Sequence, residues 1–145
     1  MSVTGYPFEF SVEVAFRDVD AMGHVNNAVY FSFMETARFK YLVQFMPNKK
    51  ISDWARDFPL ILAHASCDYK APARFGELLT IGVGVSRFGG KSFDLAYKIV
   101  GENGRLIAYG RSVQVMFDYK KNAAFPIPEN LKQAVLTFQE NWQPE

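Results

Sequence analysis

The chain has 145 residues, 49% of them hydrophobic, and a formal net charge of +1, which indicates one folded domain over residues 1–145 with a sizeable core. This balanced charge, without a block of lysines or arginines, argues against a surface for nucleic acid or for an anionic membrane. A single cysteine excludes an intramolecular disulfide, and two histidines far apart in the sequence argue against a zinc site. The sequence shows neither an export leader nor an apolar run long enough to span a bilayer, so we expect a cytoplasmic protein.

The first predicted element is a strand, followed by a loop. Apolar residues alternate with more polar ones from Phe8 to Phe16, which is the period of a half-buried strand. The loop carries two acidic residues and ends at Asn26 and Asn27, either of which suits a helix N-cap. Asp20 then lies just ahead of a helix N-terminus, where N–H groups can hold an oxyanion or a polarised carbonyl. This arrangement is consistent with a hydrolytic site.

The second predicted element is a long helix from Ala28 to Met46, around which the rest of the chain is expected to fold. Glu35 and Arg38 lie three residues apart and are expected to pair on the surface or at a subunit contact. The segment 47–50 is expected to end the helix, and 51–56 to add a short helical turn. Only a narrow polar stripe recurs at every fourth position, which indicates a largely enclosed helix. The stripe consists of Ser32, Thr36, Lys40 and Gln44.

Four further strands and a second helix complete the prediction. The strands cover Ile61–Lys70, Leu79–Arg87, 93–99 and Leu106–Tyr119, with turn signals at 88–91 and 103–104. Glycines 82 and 84 indicate a close approach by the helix or by a ligand, and an apolar stripe predicts a C-terminal helix over 131–142. This order of strand, helix, four strands in a meander and helix predicts an α+β fold, with a curved antiparallel sheet of about five strands wrapped around the central helix. Both sheet edges are then open, and dimerisation by edge pairing is one way to cover them.

The strand predicted at Ile61–Lys70 carries a cysteine and a histidine. We interpret Cys67 as a small buried residue rather than a nucleophile, and His64 as a surface or interface residue. Strict alternation places one set of side chains together on one face, namely Ile61, Ala63, Ala65, Cys67 and Tyr69.

Three segments of the chain resemble a known family. The run DVDAMGHVNNAVYFSFMETAR at 18–38 closely resembles the signature of hotdog-fold acyl-CoA thioesterases of the 4-hydroxybenzoyl-CoA thioesterase family. DYKAPARFGE at 68–77 and SRFGGKSFDLAYKI at 86–99 resemble the second-strand exit and the hairpin that meets coenzyme A in these proteins. The resemblance implies a hotdog domain that dimerises into one continuous sheet, often paired again into a homotetramer, with active sites at the dimer interface.

The same resemblance implies roles for individual residues. Asp20 matches the catalytic carboxylate, which family members use as a nucleophile on the thioester carbonyl or as a base that activates water. The backbone N–H of Asn27 matches the group that polarises this carbonyl, Gly23 gives the turn leading to it, and His24 is a proton carrier or a brace of the turn. The remaining expected contacts are Val29, Tyr30, Phe33 and Met34 along the acyl group, and Arg87, Lys91 and Ser92 of a neighbouring subunit at the nucleotide end of coenzyme A.

The predicted activity is hydrolysis of acyl-CoA to a free acid and coenzyme A, without a metal ion or redox cofactor. The turn at 23–27, Gly-His-Val-Asn-Asn, is more similar to the acyl-CoA branch of the family than to the benzoyl-specific members. Three alternatives stay open: hydrolysis of an acyl-carrier-protein thioester, a hotdog hydratase or dehydratase, and a non-catalytic acyl-CoA-binding protein. The hydratase class pairs a histidine with an acid near the central helix, whereas the predicted helix of this chain contains no histidine.

Overall fold

The computed structural model describes residues 2–46 and 58–145. Its strands are β1 (Phe8–Glu13), β2 (Leu60–Tyr69), β3 (Leu78–Phe88), β4 (Ser92–Val100), β5 (Leu106–Asp118) and the short β6 (Ala123–Ala124). Its helices are α1 (Val29–Val43) and α2 (Glu129–Gln139), with 3₁₀ turns at Phe16–Asp18 and Glu102–Gly104. The predicted helix end at 47–50 and helical turn at 51–56 lie outside these residues. Within the two described ranges, no helix is long and apolar enough to cross a membrane.

The five long strands form one antiparallel sheet in the order β1-β3-β4-β5-β2, with β6 beside the end of β5. The predicted α+β fold, a sheet of five strands around a central helix, is therefore confirmed, but the predicted four-strand meander is wrong. β2 pairs with β5 and not with β3. Tight turns keep β3, β4 and β5 as neighbours, so β2 lies three strand positions away from β3. The connecting segment 70–77 can cover this distance, because it can extend over about 26 Å and three strand spacings amount to roughly 15 Å.

Helix α1 lies across one face of this sheet and supplies much of the core. The predicted polar stripe, at positions 32, 36, 40 and 44, is exposed. The buried side of the helix consists of Tyr30, Phe33, Met34, Ala37, Tyr41 and Leu42. These side chains share one hydrophobic core with residues of β3 and β4, among them Leu79, Ile81, Leu95 and Ile99. Because each fully buried large apolar side chain contributes about 1.5–3 kcal/mol, packing rather than helix propensity fixes the position of α1.

A bulge in β2 changes which of its residues face α1. The pairing register shifts between Leu62 and His64, so that Leu62 lies opposite Gln114 and Ala65 lies opposite Ser112. Residues directly opposite each other in an antiparallel pair project from the same face of the sheet. Leu62 therefore shares its face with Ala65, and the prediction that placed position 61 there is wrong. One extra residue at 63 reverses the alternation, which no periodic pattern can show.

The other face of β3 is covered by both ends of the chain. The predicted close approach of a helix or ligand to the glycines is wrong, because the terminal segments occupy that space. A Cβ atom at Gly82 would collide with Thr4 and Tyr6, and one at Gly84 would collide with Trp142. The rings of Tyr6 and Trp142 lie 4.8 Å apart. These glycines therefore admit two segments that are distant from them in sequence.

Helix α2 closes the edge of β3 beyond the end of β1. β1 pairs with β3 only as far as Val83, so the backbone groups of Val85 lie past its end. The side-chain amide of the buried Gln139 accepts a hydrogen bond from the Val85 N–H (2.8 Å) and donates one to the Val85 carbonyl (3.0 Å). The Tyr41 hydroxyl donates to the same Gln139 oxygen at 2.7 Å. One side chain thus replaces a strand residue and joins α2 to both α1 and the sheet.

Candidate active site

The loop between β1 and α1 is held in shape by its own backbone and by Asp18. The Asp18 carboxylate accepts a hydrogen bond from the Ala15 N–H at 2.8 Å, and the Asp18 carbonyl accepts one from the Asn26 N–H at 2.8 Å. Val19 and Val25 form an isolated antiparallel bridge between these contacts. The segment 20–24 is therefore a closed turn with fixed ends.

Asp20 lies in this turn and has one of its two carboxylate oxygens tied down. Oδ1 accepts hydrogen bonds from the backbone N–H groups of Met22 (2.9 Å) and His24 (3.2 Å). Gly23 has a φ of 79°, a left-handed conformation that glycine adopts without strain, and its N–H donates to the Asp20 carbonyl. Among the described residues, none donates a hydrogen bond to Oδ2. The exposed carboxylate is thus oriented by the loop and keeps one oxygen available.

The start of α1 presents, next to this carboxylate, a backbone donor that has no partner within residues 2–46 and 58–145. The side-chain oxygen of Asn26 accepts a hydrogen bond from the Ala28 N–H at 3.0 Å, so Asn26 rather than Asn27 stabilises the turn that leads into α1. The N–H of Asn27 donates to none of the residues in the described ranges, and its carbonyl accepts from the Tyr69 hydroxyl at 2.7 Å. Since the first N–H groups of a helix attract negative charge, Asn27 can hold an oxyanion.

A cavity of about 290 Å³ joins these groups. It brings together four of the predicted site residues, Asp20, His24, Asn27 and Tyr30. Val29 and Phe33 are not among its lining residues, because both pack against the hydrophobic core. The acyl-contact role expected for these two positions stays a prediction.

Sequence reasoning missed the wall of the cavity that follows β2. This wall consists of residues 69–72, and Tyr69 belongs to it through its bond to the Asn27 carbonyl. Tyr30 fixes the same segment, because its hydroxyl accepts a hydrogen bond from the Ala73 N–H at 3.3 Å. Burial raises the pKa of the Tyr30 hydroxyl, so that it is protonated at neutral pH. The only signal for this wall was the motif at 68–77, which carries no information about spatial neighbours.

An ion pair braces this segment from outside. Arg105 contacts both carboxylate oxygens of the buried Glu77 at 2.7 Å and donates to the Pro72 carbonyl at 2.8 Å. Desolvation acts to raise the pKa of the Glu77 carboxyl, but the Arg105 guanidinium and the backbone N–H groups of Glu102 and Arg74 outweigh it and lower the pKa. The cavity wall therefore depends on a charged contact beyond the cavity itself.

The expected coenzyme contacts Arg87, Lys91 and Ser92 lie at the opposite end of the sheet. The pairing of Glu13 with Leu78 places the Asp20 loop near the start of β3, whereas Arg87 is close to the end of that strand. At about 3.3 Å per residue, these points are roughly 30 Å apart along the strand. Arg87 instead lines a cleft between β3 and α2, together with Lys132. Within one chain the structure does not bring these residues to Asp20.

The cysteine and the second histidine lie outside the cavity. Burial raises the pKa of the Cys67 thiol to about 11, so it is protonated at neutral pH and a poor nucleophile. His64 is exposed on β2, opposite Val113. Neither residue lines the cavity at the start of α1.

Comparison with known proteins gives a consistent family. The family model of the thioesterase-like superfamily matches residues 14–135. The chain is 29% identical over 125 residues to the long-chain acyl-CoA thioesterase FadM of Escherichia coli K12, covering 84% of this chain and 92% of the relative. It is 26% identical over 124 residues to the acyl-CoA thioester hydrolase YbgC of Escherichia coli O6:H1, covering 86% and 92%.

Solved structures agree with this family. The crystal structure of a thioesterase from Thermus thermophilus, complexed with coenzyme A and Zn, superimposes with a TM-score of 0.84 at 30% sequence identity. The superposition covers 95% of this chain and 98% of the other. Since the family model spans most of the sequence and the folds agree along almost their whole length, this chain belongs to the thioesterase-like superfamily and has the hotdog fold.

Proposed function

We propose that this thioester hydrolase cleaves acyl-CoA to a free carboxylic acid and coenzyme A, with Asp20 as the catalytic carboxylate. The observation that carries the proposal is the cavity lined by both Asp20 and Asn27, where the Asn27 N–H at the start of α1 has no partner among the described residues. The two Escherichia coli relatives are named for acyl-CoA hydrolysis, and the Thermus structure contains coenzyme A. These likenesses supply the substrate class, and the cavity supplies the chemistry.

The chemistry follows one of two balanced routes from the free Asp20 oxygen. As a nucleophile, Oδ2 attacks the thioester carbon, the coenzyme A thiolate leaves, and water then hydrolyses the acyl-aspartyl anhydride. As a general base, the carboxylate takes a proton from water, the resulting hydroxide attacks the carbon, and the thiolate leaves and is protonated. Both routes end in a free acid and coenzyme A, and neither needs a metal ion or a redox cofactor.

Both routes place negative charge on the former carbonyl oxygen. In this proposal the Asn27 N–H holds that oxyanion, and the dipole of α1 adds to the stabilisation. Loss of one backbone donor of this kind typically costs about 3 kcal/mol in the transition state. His24 lines the same cavity and carries protons between the leaving thiolate and water.

A second copy of the chain completes the site in this proposal. β2 is an edge strand whose large side chains are partly exposed, with Ile61 at 41% and Leu62 at 45%. Unpaired apolar edges are favourable surfaces for pairing with another strand. Pairing of two β2 edges extends the sheet, and a further copy brings Arg87, Lys91 and Ser92 to the nucleotide end of coenzyme A. The assembled enzyme is a homotetramer in the cytoplasm.

The test is release of free thiol from a panel of acyl-CoAs and from an acyl-carrier-protein thioester. The panel spans acetyl to palmitoyl and includes benzoyl and phenylacetyl thioesters, and each is assayed with the wild type and with Asp20→Asn. We expect turnover of acyl-CoA that falls about 100-fold or more in the variant. Turnover confined to the carrier-protein thioester contradicts the assignment of coenzyme A. Tight acyl-CoA binding without turnover contradicts the enzymatic function.

A further inference from the structure

A groove follows one side of α1 from the active-site loop toward the other end of the helix. It consists of cavities that follow one another along the helix, first the cavity at Asn27 and Tyr69 and then a separate cavity of about 120 Å³ lined by Met34 and Ala65. A third cavity, of about 570 Å³, is lined by Arg38 and Leu60. Along the groove the helix positions rise while the β2 positions fall, as expected for two neighbouring elements that run in opposite directions. We call this feature the α1–β2 groove.

The middle of the α1–β2 groove contains a cluster of polar side chains, not an apolar wall alone. Arg38 is 12% exposed, and its guanidinium donates to the Tyr97 hydroxyl at 3.5 Å. The Tyr97 hydroxyl in turn shares a hydrogen bond of 2.7 Å with Ser112, and both residues are buried. The charged partner of Arg38 is Glu35, at 3.6 Å, and 72% of the Glu35 side chain is exposed. Arg38 is therefore largely buried, and its contacts with the Tyr97 hydroxyl and the Glu35 carboxylate are both long.

The cluster includes a buried donor that has no partner in the part of the chain that the structure describes. Gln114 is 3% exposed and lines the third cavity together with Arg38. Its Nε2 makes no hydrogen bond with any residue in the described ranges. Leu62 lies opposite Gln114 in the β2–β5 pair, so both side chains lie on the face that borders the groove. Buried amide donors are almost always paired, so an unpaired one beside a cavity points to a ligand with an acceptor atom.

We infer that the acyl group of the substrate carries an oxygen acceptor, a hydroxyl, carbonyl or carboxylate, that binds Arg38 and Gln114. This inference rests on the proposed function and adds to it that the acyl chain lies in the α1–β2 groove. Arg38 follows Asn27 by eleven residues, which is about 16 Å along the helix, and its side chain leans back toward the helix start. The oxygen therefore lies well away from the thioester, beyond a spacer that contacts the apolar walls at Met34 and Ala65.

Arg38 and Gln114 are expected to select between acyl groups, because a plain alkyl chain would leave their hydrogen-bond donors unpaired. A site built to bind a substrate oxygen rejects the analogue that lacks it far more strongly than an apolar pocket rejects an extra group. A purely structural role for the cluster predicts no such preference between substrates, and predicts that an apolar residue at 114 lowers the stability of the fold. Pairing of Arg38 with an acceptor on a second copy of the chain is the competing explanation.

The test uses wild-type enzyme and a series of substrates of increasing chain length. Hexanoyl-, octanoyl-, decanoyl- and dodecanoyl-CoA are each compared with the counterparts that carry a terminal hydroxyl or a terminal carboxyl, and kcat/KM is measured for every member. We expect one chain length at which an oxygenated substrate exceeds its plain counterpart about 100-fold. Equal or better turnover of plain chains at every length overturns the inference and leaves acyl-CoA hydrolysis intact. Absence of turnover on all members overturns the proposed function and the inference with it.

Three variants separate binding from structure. Arg38→Met and Gln114→Met are expected to reduce the ratio of oxygenated to plain kcat/KM at least about 10-fold, while Gln114→Met unfolds at an equal or higher urea concentration than the wild type. Arg111→Met is the matched control, because Arg111 neighbours Ser112 on β5 but pairs with Asp94, and its ratio is expected to stay unchanged. An unchanged ratio in both cluster variants overturns the inference. Dissociation of the oligomer in Arg38→Met with an unchanged ratio overturns it in favour of a subunit contact.

Discussion

The two edges of this sheet, at β1–β3 and at β2, differ in how completely other parts of the same chain cover them. On the β1–β3 side, α2 and the chain ends fill the space, and the Gln139 amide pairs both backbone groups of Val85. On the β2 side, Ile61 and Leu62 are exposed and Gln114 has an unpaired donor among the described residues. The first side is therefore covered by the chain itself, whereas the second leaves apolar side chains exposed. In the account proposed above, the first side secures the fold, and the second side binds substrate and a second copy of the chain.

The largest expected effect of a substitution on folding is at the β1–β3 side. Gln139→Leu removes three hydrogen bonds at once and leaves the Val85 N–H and C=O and the Tyr41 hydroxyl without partners. We expect the free energy of unfolding in urea to fall by about 3 kcal/mol. Gln133→Leu is the control, since Gln133 lies on the exposed side of α2 and its side chain donates a hydrogen bond to Glu129. A loss in Gln139→Leu no larger than in the control contradicts this view of the edge.

A smaller effect is expected where the ion pair of Glu77 and Arg105 braces the cavity wall. The pKa of Glu77 is lowered from its ordinary value of 4.5, so its contribution to stability is complete above that pH and is lost as the pH falls through the lowered value. At neutral pH, the free energy of unfolding of Glu77→Gln should therefore be about 1 kcal/mol below that of the wild type. The difference is small because Arg105 is partly exposed to solvent. Urea unfolding between neutral and acidic pH tests this, because the two proteins should converge in acid. A difference that is independent of pH contradicts it.

The smallest effect on the fold, and a large one on assembly, is expected at the open side. Ile61→Lys places a cation on the exposed β2 edge, where a second copy would bring an identical cation close to it. Circular dichroism should show an unchanged fold, while light scattering should show a lower molar mass. Leu136→Lys is the matched control, since Leu136 is 42% exposed on α2. An unchanged mass in Ile61→Lys, or an equal loss in both variants, contradicts assembly through β2.

Features encoded locally could be predicted from the sequence. The α1 stripe at positions 32, 36, 40 and 44 follows from helical period, and the strand segments follow from alternation and turn residues. The family motif indicated the turn at Gly23 and the placement of Asp20 before α1. The structure brings Asp20, His24 and Asn27 to one cavity, as the spacing suggested.

Features that depend on distant pairing could not be predicted. Alternation shows that 61–70 is a strand but not that β5 is its neighbour, nor that the bulge reverses its faces. The close contacts of Gly82 and Gly84 were expected, but their partners come from the chain termini. In the sequence, Gln139 is a polar residue beside the apolar stripe of α2. Its role could not be predicted, because it depends on where β1 ends.

The central claim is that the Asp20 carboxylate performs the hydrolysis. Asparagine at this position can still accept the hydrogen bonds that Asp20 Oδ1 receives from Met22 and His24, so the loop should keep its shape. The decisive measurement is kcat/KM of Asp20→Asn against wild type and against the exposed-acid control Glu13→Gln, with urea unfolding of all three proteins. We predict a fall of about 100-fold or more in Asp20→Asn alone, at unchanged stability. Wild-type activity in Asp20→Asn would contradict the account.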